Sequence, residues 1–300
     1  MNLLLCGDTD AAEMAVWRHS LASALPEASW FDAAAAHAEP ASIDAAIVAN
    51  PAPGQLQGLP RLKLIQSLWA GVDRLMADAT LPRDVPLARM VDPSMNAAMA
   101  ETALWAVLSL HRGFFAYAHR QRRSEWRVHA QRRAEEVPVL VLGSGQMGQA
   151  AAARIAALGY PVKSWRRDGA ALPDLLPLAA IVINLLPLTP QTSGILNAAM
   201  FAALPQGASL VNLGRGAHLV DADLLRVLET GHLRHAVLDV FATEPLPADH
   251  PFWAHPNVTV LPHAAALTDP RSAAAVAAAN VRAALSGAPI AHRVDRARGY

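Results

Sequence analysis

Cysteine is nearly absent: Cys6 is the only one in 300 residues. A lone thiol builds neither a disulfide framework nor a thiolate metal cluster within one chain. Cys6 follows three leucines and reads as a small buried strand residue. Lysine is almost as scarce, at positions 63 and 163, so arginine carries nearly all the positive charge. Lys+Arg and Asp+Glu each number 25, which leaves no excess of either sign. That balance points to no nucleic acid and no anionic membrane. No apolar run approaches the roughly 20 residues a membrane span needs. Met1–Asp8 has no basic flank and too short an apolar run for a signal peptide, so a cytoplasmic protein is expected. No repeat of solenoid period is found. The spacing of His250, His255 and His263 matches no zinc motif, and no metal is expected.

What is present is apolar. Hydrophobic residues make up 53% and charged residues 17%, which excludes a disordered chain and fits a large buried core. Short β-rich runs alternate with Ala/Leu-rich helical stretches, the pattern of α/β architecture with parallel sheets. Strands are expected near Asn2–Cys6, Ser29–Asp32, Ala46–Asn50 and Leu64–Leu68, with a helix near Ala11–Leu25. A single helix is expected over about Ala97–Gln121, apolar nearly all round, hence covered on every side. Arginines at 120, 122, 123, 127, 132 and 133 follow; without an aromatic-rich RNA motif they read as a solvated or inter-subunit segment. A second series of strands is expected at Val137–Leu142, Val162–Trp165, Ile181–Leu186, Ser209–Leu213, Ala236–Val240 and Val258–Leu261, before a last helix at Pro270–Leu285.

Val139–Leu142 runs directly into Gly143-Ser144-Gly145-Gln146-Met147-Gly148, with an Ala-rich helix behind it. This is the dinucleotide fingerprint in its strand–turn–helix setting: a tight turn at Gly143, close pyrophosphate approach at Gly145, helix–strand packing at Gly148. The helix N-terminus, with Gln146 and Met147, faces the phosphates. An NAD site usually ends the next strand with an acid that holds the ribose 2′-hydroxyl. Here Trp165-Arg166-Arg167 stands there, and guanidinium suits a 2′-phosphate. NADP(H) is therefore expected in preference to NAD(H).

Three later strand ends each carry a chemically capable residue: Arg215, Glu244 and His263. In an open parallel sheet the carboxyl ends line one crevice, so distance in sequence is no obstacle to meeting. An imidazole can protonate an alkoxide as hydride arrives, a carboxylate can orient that imidazole, and an Arg can hold an anionic substrate and polarise its carbonyl. Reduction of a 2-oxo acid fits this set. A glycine-rich first turn also occurs in methyltransferase-like folds, a reading that leaves all three positions without a role.

Together the motifs resemble the D-isomer-specific 2-hydroxyacid dehydrogenases. The matching pieces are Ala70-Gly71-Val72-Asp73, Gly143–Gly148, Ile183-Asn184-Leu185-Leu186-Pro187-Leu188-Thr189-Pro190, Asn212-Leu213-Gly214-Arg215-Gly216, Leu238-Asp239-Val240-Phe241 with Glu244-Pro245-Leu246, and Leu261-Pro262-His263-Ala264-Ala265. They follow the family's order over nearly the whole chain. Asn184–Pro187 and the tail Val294–Tyr300 look most like its glyoxylate/hydroxypyruvate reductases. The resemblance implies a Rossmann-type dinucleotide domain, residues 98–267, inserted in a flavodoxin-like substrate domain of residues 1–97 and 268–300, hinged about a cleft. It implies that Ala70, Gly71 and Val72 bind the substrate carboxylate with Arg215, and that His263 with Glu244 donates the proton. Trp69 would limit substrate size. Asp239 would approach the nicotinamide carboxamide, and Leu186 and Pro187 would line the adenosine side. Leu185, Leu213, Gly214 and His263 complete the implied cofactor contacts. The partners implied are a small 2-oxo acid, glyoxylate or hydroxypyruvate, and a second copy of the chain. One departure stands out: the family usually has a further strand and helix between Arg167 and Ile181, where this chain has only residues 168–180. An outer strand of the dinucleotide sheet is expected to be missing, which keeps a second reading open, a dinucleotide-sensing regulatory protein on the same fold.

The cofactor reading is open to a direct test. Arg166→Ala with Arg167→Ala should weaken NADPH binding far more than NADH binding, since only NADPH carries the 2′-phosphate. Fluorescence titration of both cofactors reads this out, and an unchanged NADPH/NADH ratio would refute it.

Overall fold

The computed structural model describes residues 1–167 and 169–300; Asp168, part of the shortened interval, lies outside the described residues. In chain order the elements begin β1 (Asn2–Gly7), α1 (Ala11–Ala24), β2 (Ser29–Phe31), α2 (Ala33–Ala38), β3 (Ala45–Ala49), β4 (Ile65–Ser67), α3 (Asp73–Ala77) and β5 (Leu87–Ala88). Next come α4 (Pro93–Arg112), α5 (Phe114–Gln121), β6 (Val139–Leu142), α6 (Gln146–Ala156), β7 (Val162–Trp165), α7 (Leu172–Leu175) and β8 (Ile181–Asn184). The series closes with α8 (Ala198–Ala202), β9 (Ala208–Asn212), α9 (Asp221–Glu229), β10 (Leu233–Leu238), β11 (Val258–Val260) and α10 (Pro270–Ser286). The chain divides into two compact units, 1–94 with 268–300, and 95–267.

The first unit is a five-stranded sheet in the order β2-β1-β3-β4-β5, every pair parallel. Its helices start where the sequence supplies caps: Asp10 accepts the Glu13 N–H at 2.7 Å and Asp32 the Ala35 N–H at 2.8 Å. All five residues of β3 are buried, as expected of a strand covered on both faces. Cys6 is buried in β1, and burial pushes its thiol up to about 12. The C-terminal stretch is built into this core. Asn280 of α10 donates to Gln66 Oε1 of β4 at 2.7 Å, both side chains buried. Arg282 reaches Glu27 and the Ala24 carbonyl at 2.9 and 2.8 Å, and Val294 packs in one cluster with Leu4, Ile65 and Leu87.

The second unit is a six-stranded parallel sheet in the order β11-β10-β9-β8-β6-β7. Period-two alternation serves both faces. Leu140, Leu142, Val182, Leu210 and Leu238 join one buried cluster; Val139, Val141, Ile183, Val211 and Val237 join the other. β7 is the edge strand, paired to β6 alone. Among the described residues of the interval 169–180 there is α7 and a 3-10 turn at Leu176–Leu178, and no strand. The sheet therefore stops one strand short of the usual doubly wound order on this side.

The structure corrects one expectation. The apolar run 97–121 is not one helix: Gly113 takes φ 75°, a left-handed conformation, and separates α4 from α5. Within the single chain its cover is one-sided. Met99, Ala103, Ala106, Val107 and Leu110 are buried, whereas Trp105 is 40% and Phe114 53% exposed. β5, only two residues long, was not expected at all.

His235 of β10 generates a stability prediction. It is 8% exposed, stacked on Phe115 at 4.5 Å, with Nε2 on Thr259 Oγ1 at 2.9 Å. Burial, then Arg234 and His255, lowers its pKa from 6.5 to about 4. Above pH 6.5 it is neutral in both states and adds no pH dependence. Below that the unfolded chain takes up a proton that the native state refuses, so stability falls as pH drops and the loss is complete below about 4. The full effect is about 3 kcal/mol. Denaturant titrations at pH 7.5 and 4.5 should show a shallower acid loss in His235→Gln than in wild type; equal losses would contradict the assignment.

Candidate active site

The site residues of the second unit gather at the carboxyl ends of its strands. β6 ends at Gly143, whose φ is 107° and whose added Cβ would lie 2.6 Å from the Leu185 carbonyl oxygen. Only glycine lets this turn pass so close to the β8 loop. A Cβ on Gly148 would meet the Gly143 oxygen at 1.9 Å, so α6 sits tightly on its strand. Gly145 differs: nothing lies within 4 Å of an added Cβ, and α6 has no side-chain cap. Its first N–H groups are left for an anion, which fits a dinucleotide pyrophosphate. Beyond β7, Arg166 and Arg167 are exposed, and Arg167 Nη2 lies 3.4 Å from Thr189 Oγ1 in the Pro187–Thr192 loop. Thr192 steadies that loop by donating to the Pro187 carbonyl at 2.8 Å and accepting from the Thr189 N–H at 2.9 Å.

Below the surface three fully buried polar side chains tie two loops together. Asn184 and Asn212 sit directly opposite at the ends of β8 and β9. The Asn184 amide donates to Asn212 Oδ1 and to His218 Nδ1, both at 2.8 Å. The Arg215 N–H points at the same Nδ1 at 3.2 Å. A nitrogen that accepts twice carries no proton, so His218 is the Nε2–H tautomer, and Nε2 lies 3.3 Å from the Pro187 carbonyl. Asn184 Oδ1 accepts the Leu186 N–H at 3.2 Å, and Asn212 Nδ2 donates to the Arg215 carbonyl at 3.2 Å. The network thus shapes Leu186-Pro187 on one side and Arg215 on the other.

The Arg215 turn packs against the Phe241 turn without a gap. A Cβ on Gly216 would lie 1.8 Å from the Phe241 carbonyl carbon. Three residues past Phe241, Glu244 places Oε1 on the Phe241 N–H at 2.8 Å and Oε2 on His263 Nδ1 at 2.7 Å. The carboxylate fixes the proton on Nδ1 and leaves Nε2 as the end that exchanges protons. The His263 side chain is 51% exposed, Glu244 34%. His263 has φ 54°, uncommon for a residue with a side chain. Asp239, 1% exposed, holds it there. Its carbonyl accepts the His263 N–H at 2.8 Å, and its carboxylate accepts Ala264 at 2.7 Å and Ala265 at 3.1 and 3.2 Å. Burial raises the Asp239 pKa, opposed by these two N–H groups.

The other expected residues lie in the first unit. Trp69 is half-buried and meets the fully buried Trp17 edge-on, ring centroids 6.1 Å apart. Val72 is buried with Leu75 and Ile65. Among the described residues the N–H groups of Gly71 and Val72 find no acceptor within the protein.

Residues 104–265 match the sequence profile of the D-isomer specific 2-hydroxyacid dehydrogenase, NAD binding domain. A glyoxylate/hydroxypyruvate reductase A of Serratia proteamaculans is 42% identical over 274 residues, 86% of this chain and 88% of that one. The chain belongs to the D-isomer specific 2-hydroxyacid dehydrogenase family. Solved structures agree with this dehydrogenase over its whole length. A family member from Xanthobacter autotrophicus Py2, in complex with NADPH and MES, superposes with TM-score 0.93 at 37% identity, covering 100% of this chain and 99% of that one. An NADPH-dependent glyoxylate/hydroxypyruvate reductase from Sinorhizobium meliloti, in complex with NADP and sulfate, gives 0.92 at 36% identity, with 100% and 99% covered.

In this dehydrogenase Glu244 and His263 are paired, and Arg215 stands on the turn packed against theirs. Sequence reasoning gave no role to His218, Thr189 or Thr192. A histidine three residues after Arg215, on the same turn, was the one available signal for His218.

Gly216→Ala tests whether turn-to-turn contact builds the site. The extra methyl has no room, so the Arg215 and Phe241 turns must part, at a cost of about 1–3 kcal/mol. Thermal unfolding and turnover should both fall. Normal values for both would disprove the contact.

Proposed function

We propose that this dehydrogenase reduces a small 2-oxo acid, glyoxylate or hydroxypyruvate, with NADPH as the donor. The carrying observation is the His263–Glu244 pair, 2.7 Å apart on a turn clamped by Asp239, in the unit that also bears the glycine turn. The names of the Serratia and Sinorhizobium relatives support the substrate, and the NADPH and NADP complexes support the cofactor. The pair Arg166-Arg167, in place of an acid, supports the same cofactor.

In this reading the unit of residues 95–267 holds the dinucleotide and the unit of 1–94 with 268–300 holds the substrate. The free N–H groups at Gly71 and Val72 take the carboxylate, and Trp69 stands at the size limit of the pocket. Arg215 supplies a positive charge suited to an anionic substrate and draws charge onto its carbonyl oxygen. NADPH, when bound, supplies the hydride. His263 Nε2 delivers the proton to the forming alkoxide, and Glu244 stabilises the imidazolium before transfer. Leu185, Leu186, Pro187, Leu213 and Gly214 form the cofactor wall, and Asp239 keeps lone pairs for the nicotinamide carboxamide beyond those its clamp uses.

The proposal includes a cytoplasmic homodimer. No helix among the described residues is long and apolar enough to cross a membrane. Trp105, Phe114 and the fully exposed Trp126 offer aromatic surface on and after α4 and α5 that a second copy would cover.

pH–rate profiles in both directions test the mechanism. Reduction consumes a proton and oxidation of the hydroxy acid releases one, so the two rates should respond to pH in opposite directions. Glu244→Gln removes the carboxylate that orients the imidazole and should lower kcat for reduction. His263→Ala should cost about 10²–10⁴-fold in kcat with NADPH binding retained. Arg215→Ala should raise KM as well as lower kcat. Near-normal turnover in His263→Ala would overturn the mechanism.

A further inference from the structure

We propose that Arg89 is a second cationic anchor for the substrate carboxylate, an inference that rests on the 2-oxo-acid reading above. Three features of the first unit carry it. The first is register. Ile65 of β4 lies opposite Leu87 of β5, and Gln66 opposite Ala88. β5 ends at Ala88, and Arg89 follows it directly. The Ser67 hydroxyl donates to the Trp69 carbonyl at 3.1 Å and accepts the Trp69 N–H at 3.0 Å. Met90 donates its N–H to the same carbonyl at 3.0 Å. The backbone at 89–90 therefore runs beside the start of the Trp69–Val72 turn.

The second feature is the face. Side chains alternate along extended backbone, so Arg89 points to the side that Leu87 occupies. Leu87 packs in one cluster with Ile65, Val72 and Leu75, the residues beneath that turn and α3. The third is the state of the guanidinium. Arg89 is half-buried, and among the described residues its side chain has no hydrogen-bond acceptor and no ion-pair partner. Burial holds its pKa below the usual arginine range. The His292 carbonyl accepts the Arg89 N–H at 3.1 Å, and burial and then Arg89 lower the pKa of the His292 imidazole.

A partly desolvated cation with no anion is costly, and so are free backbone N–H groups beside it. One carboxylate satisfies both. It can take N–H donors from Gly71 and Val72 on one edge and the planar fork of a guanidinium on the other.

Arg89→Gln and Arg89→Lys provide the test, with kcat and KM for glyoxylate and hydroxypyruvate. Calorimetric titration of oxalate, a small carboxylate probe, into the NADPH-loaded enzyme supplies a readout that needs no turnover. Arg89→Gln should raise KM and the oxalate Kd about 10- to 100-fold, the worth of a charged hydrogen-bond pair. kcat should change less than KM, and NADPH affinity less than twofold. Arg89→Lys, with charge but no fork, should recover part of the loss and keeps the test available if the Gln variant fails to fold. Unchanged KM and oxalate Kd in a folded Arg89→Gln overturn the proposal. Wild type that turns over no 2-oxo acid yet binds oxalate overturns the functional reading alone, and the oxalate arm still decides on Arg89. Wild type that binds no oxalate overturns both.

Discussion

The turn that carries His263 depends on one carboxylate with hardly any contact with water. Asp239 takes the amides of three consecutive residues, His263 on its carbonyl and Ala264 and Ala265 on its side chain. Thr102 of α4 holds the Ala265 carbonyl from the other side at 2.8 Å. A left-handed residue with a side chain costs roughly 1–3 kcal/mol. Two charge-assisted hydrogen bonds, at about 1.5–3 kcal/mol each, exceed that. The strain at His263 is thus sustained, and its imidazole stays where Glu244 can hold it. A buried residue thus decides where the His263–Glu244 pair stands.

A second buried polar group works on the opposite flank. His218 accepts from Asn184 and from the Arg215 main chain through one nitrogen and faces Pro187 with the other. The Leu186-Pro187 loop and the Arg215 turn therefore share a single imidazole in a single tautomer. Loss of any one member strands the others in a dry environment, where an unmade hydrogen bond costs about 1–3 kcal/mol. The Leu186-Pro187 loop and the Arg215 turn are joined through His218, and the Arg215 turn also packs on Phe241 through Gly216.

Much of this was legible in the chain because a parallel sheet collects its strand ends. Gly143, Arg215 and His263 could be assigned to one rim from strand-end position, and the β6–α6 turn appeared where its glycines stood. The missing outer strand was equally readable, since thirteen residues are too few for a strand, a helix and their loops. Other features left weak marks. Gly113 inside an apolar run reads as a tolerated helix residue until its φ is known. A two-residue strand such as β5 has no periodicity to detect. His218 and Arg89 are single polar residues in ordinary surroundings, and only burial and hydrogen-bond geometry distinguish them. Asp239 was visible as a motif residue, but its grip on residues 263–265 follows from backbone direction, which no side-chain pattern encodes.

The discontinuous first unit has a consequence for the order of events on the ribosome. Residues 1–94 cannot complete their core until α10 and Val294 arrive, because Gln66 waits for Asn280 and the Leu4–Leu87 cluster waits for Val294. The unit that starts later in the chain, 95–267, has all its strands once residue 260 has emerged. Domains generally fold as units during synthesis. Here the inserted unit can close first, while the N-terminal β-strands, rich in Leu, Ile and Val, stay unfinished through most of translation. The nascent chain thus keeps the strands of the first unit without their full cover until residues 280–294 have been made.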